Sequence, residues 1–165
     1  AGSSCVTWLR DGRATVDLGG TVEDDTSDVT SILWSVIQPS RGSTVDIADS
    51  EAASTTADFV ATGVYVLELK ATDSTGQQGS DRMMVRVYAD SCAASNSPMG
   101  NGSGGLYDFD NDCIATFADF AMFAAQRVAS GNFNDLVLFA AEWLEDSSLS
   151  GEVLYDAGKI TLPAQ

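Results

Sequence analysis

The chain has no histidine, and basic residues are scarce. Lys and Arg number 8 against 24 Asp and Glu, a formal net charge of −16 over 165 residues. Without imidazole, Ser-His-Asp and Cys-His chemistry and ordinary zinc sites fall away. The acidic excess runs through both halves of the sequence. Phosphate backbones and anionic lipid would be repelled, which argues against nucleic-acid and membrane-surface roles. No apolar run approaches the ~20 residues of a membrane helix. No signal peptide is visible, and Ala1-Gly2-Ser3-Ser4 reads as the start of a processed or excised chain. There are only three cysteines, Cys5, Cys92 and Cys113, an odd number. With a composition rich in Ser, Thr and Asp and poor in Lys, the expected setting is oxidising and extracellular.

What is present divides the chain. Hydrophobic residues make up 44%, enough for one ordinary domain or two small ones. Over residues 1–90, short runs alternate apolar and polar side chains and are separated by turn residues, the pattern of an all-β domain. Runs fall at 6–9, 14–22, 32–37, 45–48, 56–60, 63–71 and 83–88, with Asp11-Gly12 and Pro39-Ser40-Arg41-Gly42 as breaks. The clearest is 63–71, where Tyr65, Leu67, Leu69 and Ala71 share one face. Six or seven such strands predict a sandwich of two antiparallel sheets. Trp34 is its expected core residue, and Tyr65 stands where a tyrosine corner would pin a crossover.

Three segments carry a resemblance. Leu18-Gly19-Gly20-Thr21-Val22-Glu23-Asp24-Asp25, then Leu33-Trp34-Ser35, then Gly63-Val64-Tyr65-Val66-Leu67-Glu68-Leu69-Lys70-Ala71-Thr72-Asp73 resemble, in order, the PKD/REJ-type immunoglobulin-like repeats. The resemblance implies a spacer, adhesion or scaffold module of secreted and cell-surface proteins, with no catalytic residues. Asp24, Asp25 and Asp73 are read as solvated turn residues, with Ca²⁺ binding at the loop ends as the alternative.

Residues 91–105 are rich in Ser, Asn, Gly and Ala and read as a linker. Asn101-Gly102-Ser103 fits an N-glycosylation acceptor at Asn101. Then comes Tyr107-Asp108-Phe109-Asp110-Asn111-Asp112-Cys113-Ile114-Ala115-Thr116-Phe117-Ala118-Asp119. Acidic residues occupy positions 1, 3, 5 and 12 of a twelve-residue loop starting at Asp108. Thr116 is at position 9, and Ile114 at position 7 offers its backbone carbonyl. A tight loop turns such oxygens to one centre, and Ca²⁺ takes six to eight of them; Mg²⁺ fits less well. The expected cofactor is one Ca²⁺ held by Asp108, Asp110, Asp112, Ile114, Thr116 and Asp119. The competing reading is an Asx-rich turn that only caps a helix.

Thr116 and Asp119 form a capping-box-like pair for a helix with Phe117, Phe120, Ala121, Ala124 and Val128 at helical spacing. Ser130-Gly131 ends it. Asn134 is expected to cap a second helix with Leu136, Phe139, Ala140, Trp143 and Leu144 as its apolar stripe. Residues 117–126 parallel 133–142 at an offset of sixteen, a duplicated loop–helix unit. With the acidic loop, 106–146 resembles the dockerin-type module of two Ca²⁺-loop-plus-helix repeats. Three features depart from that pattern. Position 6, usually glycine, is Cys113. Counting back from Asp135 puts Ala124, Gln126 and Val128 where second-loop ligands would stand, so that loop is expected to be metal-free. Phe117 and Ala118 replace the small polar residues that cohesin-binding dockerins often show. A Cys92–Cys113 bridge is expected, closing about twenty residues at roughly 3 kcal/mol. It would fix position 6 and tether the loop to the β domain, leaving Cys5 free or pairing between chains.

Residues 147–165 return to strand-like sequence, Val153-Leu154-Tyr155 and Ile160-Thr161-Leu162. They are read as the start of another repeat, as a strand added to a neighbouring copy, or as a hairpin on their own chain. The expectation is a mainly β protein with a small α part: sandwich 1–90, linker 91–105, dockerin-like pair 106–146, tail 147–165. Its expected role is a secreted, Ca²⁺-stabilised structural subunit of an extracellular or surface fibre or scaffold, assembling with other copies of itself. The alternative is an adaptor for a cohesin-like partner. Glycan binding or hydrolysis by paired carboxylates lacks any site motif, and no enzyme activity is expected.

Overall fold

The computed structural model describes residues 4–23, 28–40, 43–97, 107–127, 133–144, 146, 153–155 and 160–161. The chain forms two compact units, Ala1–Ala89 with Glu152–Gln165, and Asp90–Gly151.

The first unit is a β-sandwich as expected, but its larger sheet is mixed rather than wholly antiparallel, because the first and eighth strands pair in parallel. Its strands are β1 (Ser4–Trp8), β2 (Ala14–Gly19), β3 (Val22–Glu23), β4 (Val29–Gln38), β5 (Val45–Ile47), β6 (Ser54–Phe59), β7 (Gly63–Asp73) and β8 (Gln78–Tyr88). Two more, β9 (Val153–Tyr155) and β10 (Ile160–Thr161), come from the tail. One sheet runs β4-β7-β8-β1-β9, the other β2-β6-β5, and β10 pairs with β3. Period-two side-chain alternation makes this geometry. In β2 Ala14, Val16 and Leu18 are buried while Thr15, Asp17 and Gly19 face out. In β7 and β8, Tyr65, Leu67, Leu69, Met83, Val85 and Val87 enter the same core as Phe59 and Trp34. Each large side chain so buried contributes about 1.5–3 kcal/mol.

Trp34 is 2% exposed, and its indole N–H donates to the Ala52 carbonyl at 3.1 Å. The Tyr65 ring meets Phe59 edge-on at 4.8 Å. Its hydroxyl donates to the Ala61 carbonyl at 2.7 Å and accepts from Ser43 Oγ at 3.0 Å. That is the tyrosine corner. Asp11 and Gly12 both take positive φ, 52° and 81°, so the two-residue hairpin between Arg10 and Arg13 has the twist a tight β-turn needs.

The boundaries depart from the sequence reading in several places, β4 among them, which begins at Val29, three residues before the expected run. The run 14–22 is broken after Gly19, and at Gly20 the Leu69 side chain occupies the space a Cβ would need. Strand β8 starts at Gln78, five residues before the expected run. The expected linker opens with a helix, α1 (Ser91–Ser95), whose first turn is capped by Asp90 accepting the Ala93 N–H. Asn101 lies outside the described residues. The tail strands pair within their own chain, β9 antiparallel to β1 and β10 parallel to β3.

The second unit holds α1, α2 (Phe117–Arg127) and α3 (Phe133–Ala141). An aromatic cluster of Tyr107, Phe123 and Phe139 forms its core, with Phe109, Phe120 and Trp143 against it. Tyr107 contacts Phe123 and Phe139 edge-on at 5.9 and 5.7 Å. Two helix expectations are corrected. The inward arc of α2 carries Asp119 and Phe123, while Phe117 is 75% exposed and touches Trp143 edge-on. Helix α3 begins at Phe133, so Asn134 lies inside it and does not cap it. In addition, Ala124 and Gln126 are part of α2. The positions counted as 1 and 3 of a second loop are therefore helical. Val128 lies outside the described residues.

Candidate metal centre

The acidic loop folds on itself through its own carboxylates. Asp108 accepts the Asp112 N–H at 3.1 Å and the Cys113 N–H at 2.9 Å. Asp110 accepts from Asp112 at 3.2 Å, and Asp112 accepts from Ile114 at 2.9 Å. These Asx-type bonds stand in for secondary structure in a segment too tight for a ladder. Two residues take left-handed backbone, Asn111 at φ 61° and Cys113 at φ 70°. Position 6 thus adopts the glycine-like conformation although it carries a side chain.

Asp119 closes the loop from the far end. Its Oδ1 accepts from Phe109 at 2.7 Å and Asp110 at 3.2 Å. Its Oδ2 accepts the Thr116 N–H at 2.8 Å and hydroxyl at 3.3 Å. The Thr116 hydroxyl in turn accepts from Ala118 at 3.2 Å, capping α2. Asp119 is 0% exposed. Burial pushes its pKa up, but the N–H groups of Thr116, Asp110 and Phe109 and the Thr116 hydroxyl outweigh this, and the net shift is downward. Asp110 shifts the other way. Desolvation raises it first, the Asp112 N–H opposes, and the negative charges of Asp119, Asp112 and Asp108 raise it further.

One carboxylate oxygen from each of Asp108, Asp110, Asp112 and Asp119 lies within 4.8 Å of the others. Ca²⁺ binds oxygen at about 2.3–2.6 Å, so ligands across its sphere stand roughly 5 Å apart. The observed spread fits that sphere, and a Mg²⁺ shell is narrower. Asp108, Asp110 and Asp112 retain acceptor capacity. Both Asp119 oxygens already receive two donors each, so Asp119 organises the loop as much as it would ligate. Ile114 is bridged antiparallel to Asp146, and Ala115 pairs with Trp143. Ile114 and Thr116 are therefore held beside the carboxylates by the backbone that joins loop to helices.

The Cys92–Cys113 disulfide is present, with Cα atoms 5.7 Å apart. Cys92 lies on α1, inside the Asp90–Gly151 unit. The bond is therefore a staple within the second unit, correcting the expected tether to the β domain. Asn96, not anticipated from sequence, adds to it: its amide lies 3.4 Å from the Asn111 carbonyl and 3.6 Å from Cys113 Sγ. Cys5 is buried in the sandwich core, away from that bond. Asp73 accepts from the Thr75 N–H, the Thr75 hydroxyl and the Gln77 N–H, all at 2.8 Å. It ties the β7–β8 turn, but at 3% exposure it is buried there, which corrects the expectation of a solvated residue; Asp24 and Asp25 lie outside the described residues.

The fold of the first unit is that of an immunoglobulin-like β-sandwich. Residues 9–87 match the family model described as K319L-like, PKD domain. The match covers most of the sandwich, and residues 90–151 lie outside it. Among solved structures, the chain is similar to the solution structure of the PKD domain from KIAA 1837 protein. The identity is 24%, the TM-score 0.44, and the alignment covers 55% of this chain and 85% of that one. It is also similar to the 2,6-sialyltransferase of Vibrionaceae Photobacterium sp. JT-ISH-224, solved with CMP and lactose. There the identity is 12% and the TM-score 0.35, over 51% of this chain and 17% of that one. No curated protein matches the sequence.

Proposed function

We propose that the chain is a non-catalytic structural module of a secreted or cell-surface scaffold or fibre. In this reading the PKD-type sandwich is the spacer, and the second unit is a dockerin-like pair of helices pinned by one Ca²⁺. The observation that carries it is the convergence of the Asp108, Asp110, Asp112 and Asp119 carboxylates. The Cys92–Cys113 bond and the PKD-type fold favour an oxidising, extracellular setting. Like charges this close repel one another, and a divalent cation would relieve them. Calorimetric titration of Ca²⁺ into chelator-treated protein tests the metal. One binding site is expected, with a rise in Tm corresponding to about 2.7 kcal/mol at a hundredfold excess of Ca²⁺ over Kd. Absence of both heat and Tm shift refutes the metal-pinned reading.

The adaptor reading would present an apolar face in place of the polar one that cohesin recognition often uses. Phe117, Val137, Leu138 and Leu144 are at least half exposed, and Phe117, Phe120, Leu136, Phe139, Ala140 and Trp143 line a groove. Capture of a cohesin by the full chain, lost on Phe117→Ser, would favour the adaptor over the spacer.

A further inference from the structure

Helices α2 and α3 carry apolar side chains outward as well as inward. Phe123 and Phe139 are buried, yet Phe117, Val137 and Leu138 are at least half exposed. A helix apolar on every side is ordinarily covered by neighbours. On α2, Phe117, Phe120, Ala121 and Ala124 fall at i, i+3, i+4 and i+7, which is one side of a helix. On α3, Leu136, Val137 and Ala140 share an arc in the same way. A groove of about 380 Å³ is lined by Phe117, Phe120, Leu136, Phe139, Ala140 and Trp143, with no charged side chain among the described residues. We propose that two copies of this chain pair across this groove about a two-fold axis, the Phe117 ring of each entering the groove of the other. The proposal rests on the scaffold reading, for which it supplies a joint between copies.

Three observations point to a second copy as the occupant. First, the groove and a ring to fill it stand on the same surface. Phe117 forms part of the rim, edge-on to Trp143 at 5.0 Å, and is still 75% exposed. Ala140, the smallest lining residue, leaves room in the wall. A knob beside a hole on one patch is what an isologous contact requires, since each copy then offers and receives the same group. Second, each copy carries a net charge of −16, and like charge opposes association. A surface lined by no charged side chain is where two copies approach with least repulsion, and it offers a cationic partner no ion pair. Third, the area suffices for a reversible dimer. Phe117, Ala121, Leu136, Val137, Ala140 and Leu144 are exposed and together present roughly 500 Å² per copy, so a pair buries about 1,000 Å², the lower end of specific interfaces. Aromatic rings at the centre of such a patch are the side chains that anchor it.

Sedimentation equilibrium of the full chain in Ca²⁺-containing buffer tests this. A monomer–dimer equilibrium is expected, and it should tighten with salt as repulsion between copies is screened. Phe117→Ser removes the ring, and Ala140→Phe fills the groove from within. Each should weaken the dimer about a hundred-fold, because the loss is counted twice per dimer. Leu138→Ser alters an exposed residue on the opposite side of α3 from Leu136 and Ala140 and should leave the dimer unchanged. Far-ultraviolet circular dichroism checks that α2 and α3 persist in each variant. Monomer at every concentration overturns the proposal. So do dimers that either folded groove variant leaves intact, dimers weakened equally by Leu138→Ser, and a monomer that captures a cohesin through Phe117. A chain that binds Ca²⁺ calorimetrically but stays monomeric would remove the dimer and keep the metal-pinned reading; dimers in a chain that binds no Ca²⁺ would do the reverse.

Discussion

Asp119 accepts the backbone N–H of Phe109 at 2.7 Å across ten residues of loop. One buried carboxylate therefore joins the loop's entry to the first turn of α2, and its charge is used whether or not a metal is bound. Asp110, by contrast, is exposed and surrounded by like charge. The two should respond oppositely to neutralisation. Asp119→Asn leaves N–H donors short of an acceptor and should cost about 1.5–3 kcal/mol in the metal-free second unit. Asp110→Asn should hold or raise metal-free stability while lowering Ca²⁺ affinity. Melts with chelator, paired with Ca²⁺ titrations, separate the two; equal destabilisation by both would contradict this division of roles.

The same pair sets the acid response without metal. Asp119 has a depressed folded-state pKa, so its contribution is present above the unfolded carboxylate value. It is lost as pH falls through the lower folded value. Asp110 has a raised pKa, so its ionised form costs stability, and that cost disappears as pH falls through the raised value. Chelated protein should therefore gain slightly in Tm on mild acidification and lose at stronger acid. In Asp119→Asn the late loss should be reduced.

The disulfide holds Cys113 in a left-handed conformation that favours glycine. Cys92→Ser with Cys113→Ala removes the staple and keeps the side chain there; the expected loss is about 3 kcal/mol. Cys92→Ser with Cys113→Gly should recover on the order of 1 kcal/mol of it by relieving the backbone. Equilibrium denaturation of the pair, with and without Ca²⁺, measures both terms.

In the sandwich, Tyr65→Phe keeps the buried ring and removes the hydroxyl. The Ala61 carbonyl and Ser43 hydroxyl lose their partner, and the expected cost is about 1–3 kcal/mol in urea denaturation. Loss of less than a few tenths would mean that water replaces both bonds.

The parts legible in the sequence were those fixed by local periodicity. Tyr65, Leu67 and Leu69 alternate because one side of β7 is core, and the acidic spacing from Asp108 to Asp119 is itself the loop. The parts that were not legible depended on neighbours distant in sequence. Nothing around Gly20 announces that Leu69 fills the space above it. Helical spacing put Phe117 on the apolar stripe of α2, but Asp119 turns to the loop and Phe117 lies outside. Asp90 before Ser91-Cys92-Ala93-Ala94 was a readable cap signal, hidden by a composition that looked like linker.

The tail's place on β1 also has a consequence for synthesis. Residues up to Ala89 emerge from the ribosome well before Val153 does. At roughly 5–20 residues per second, several seconds pass in which β1 has β8 but not β9. Neighbouring nascent chains on one messenger would display the same open seat over that interval. Through that interval the larger sheet has to hold with β1 paired on one side alone.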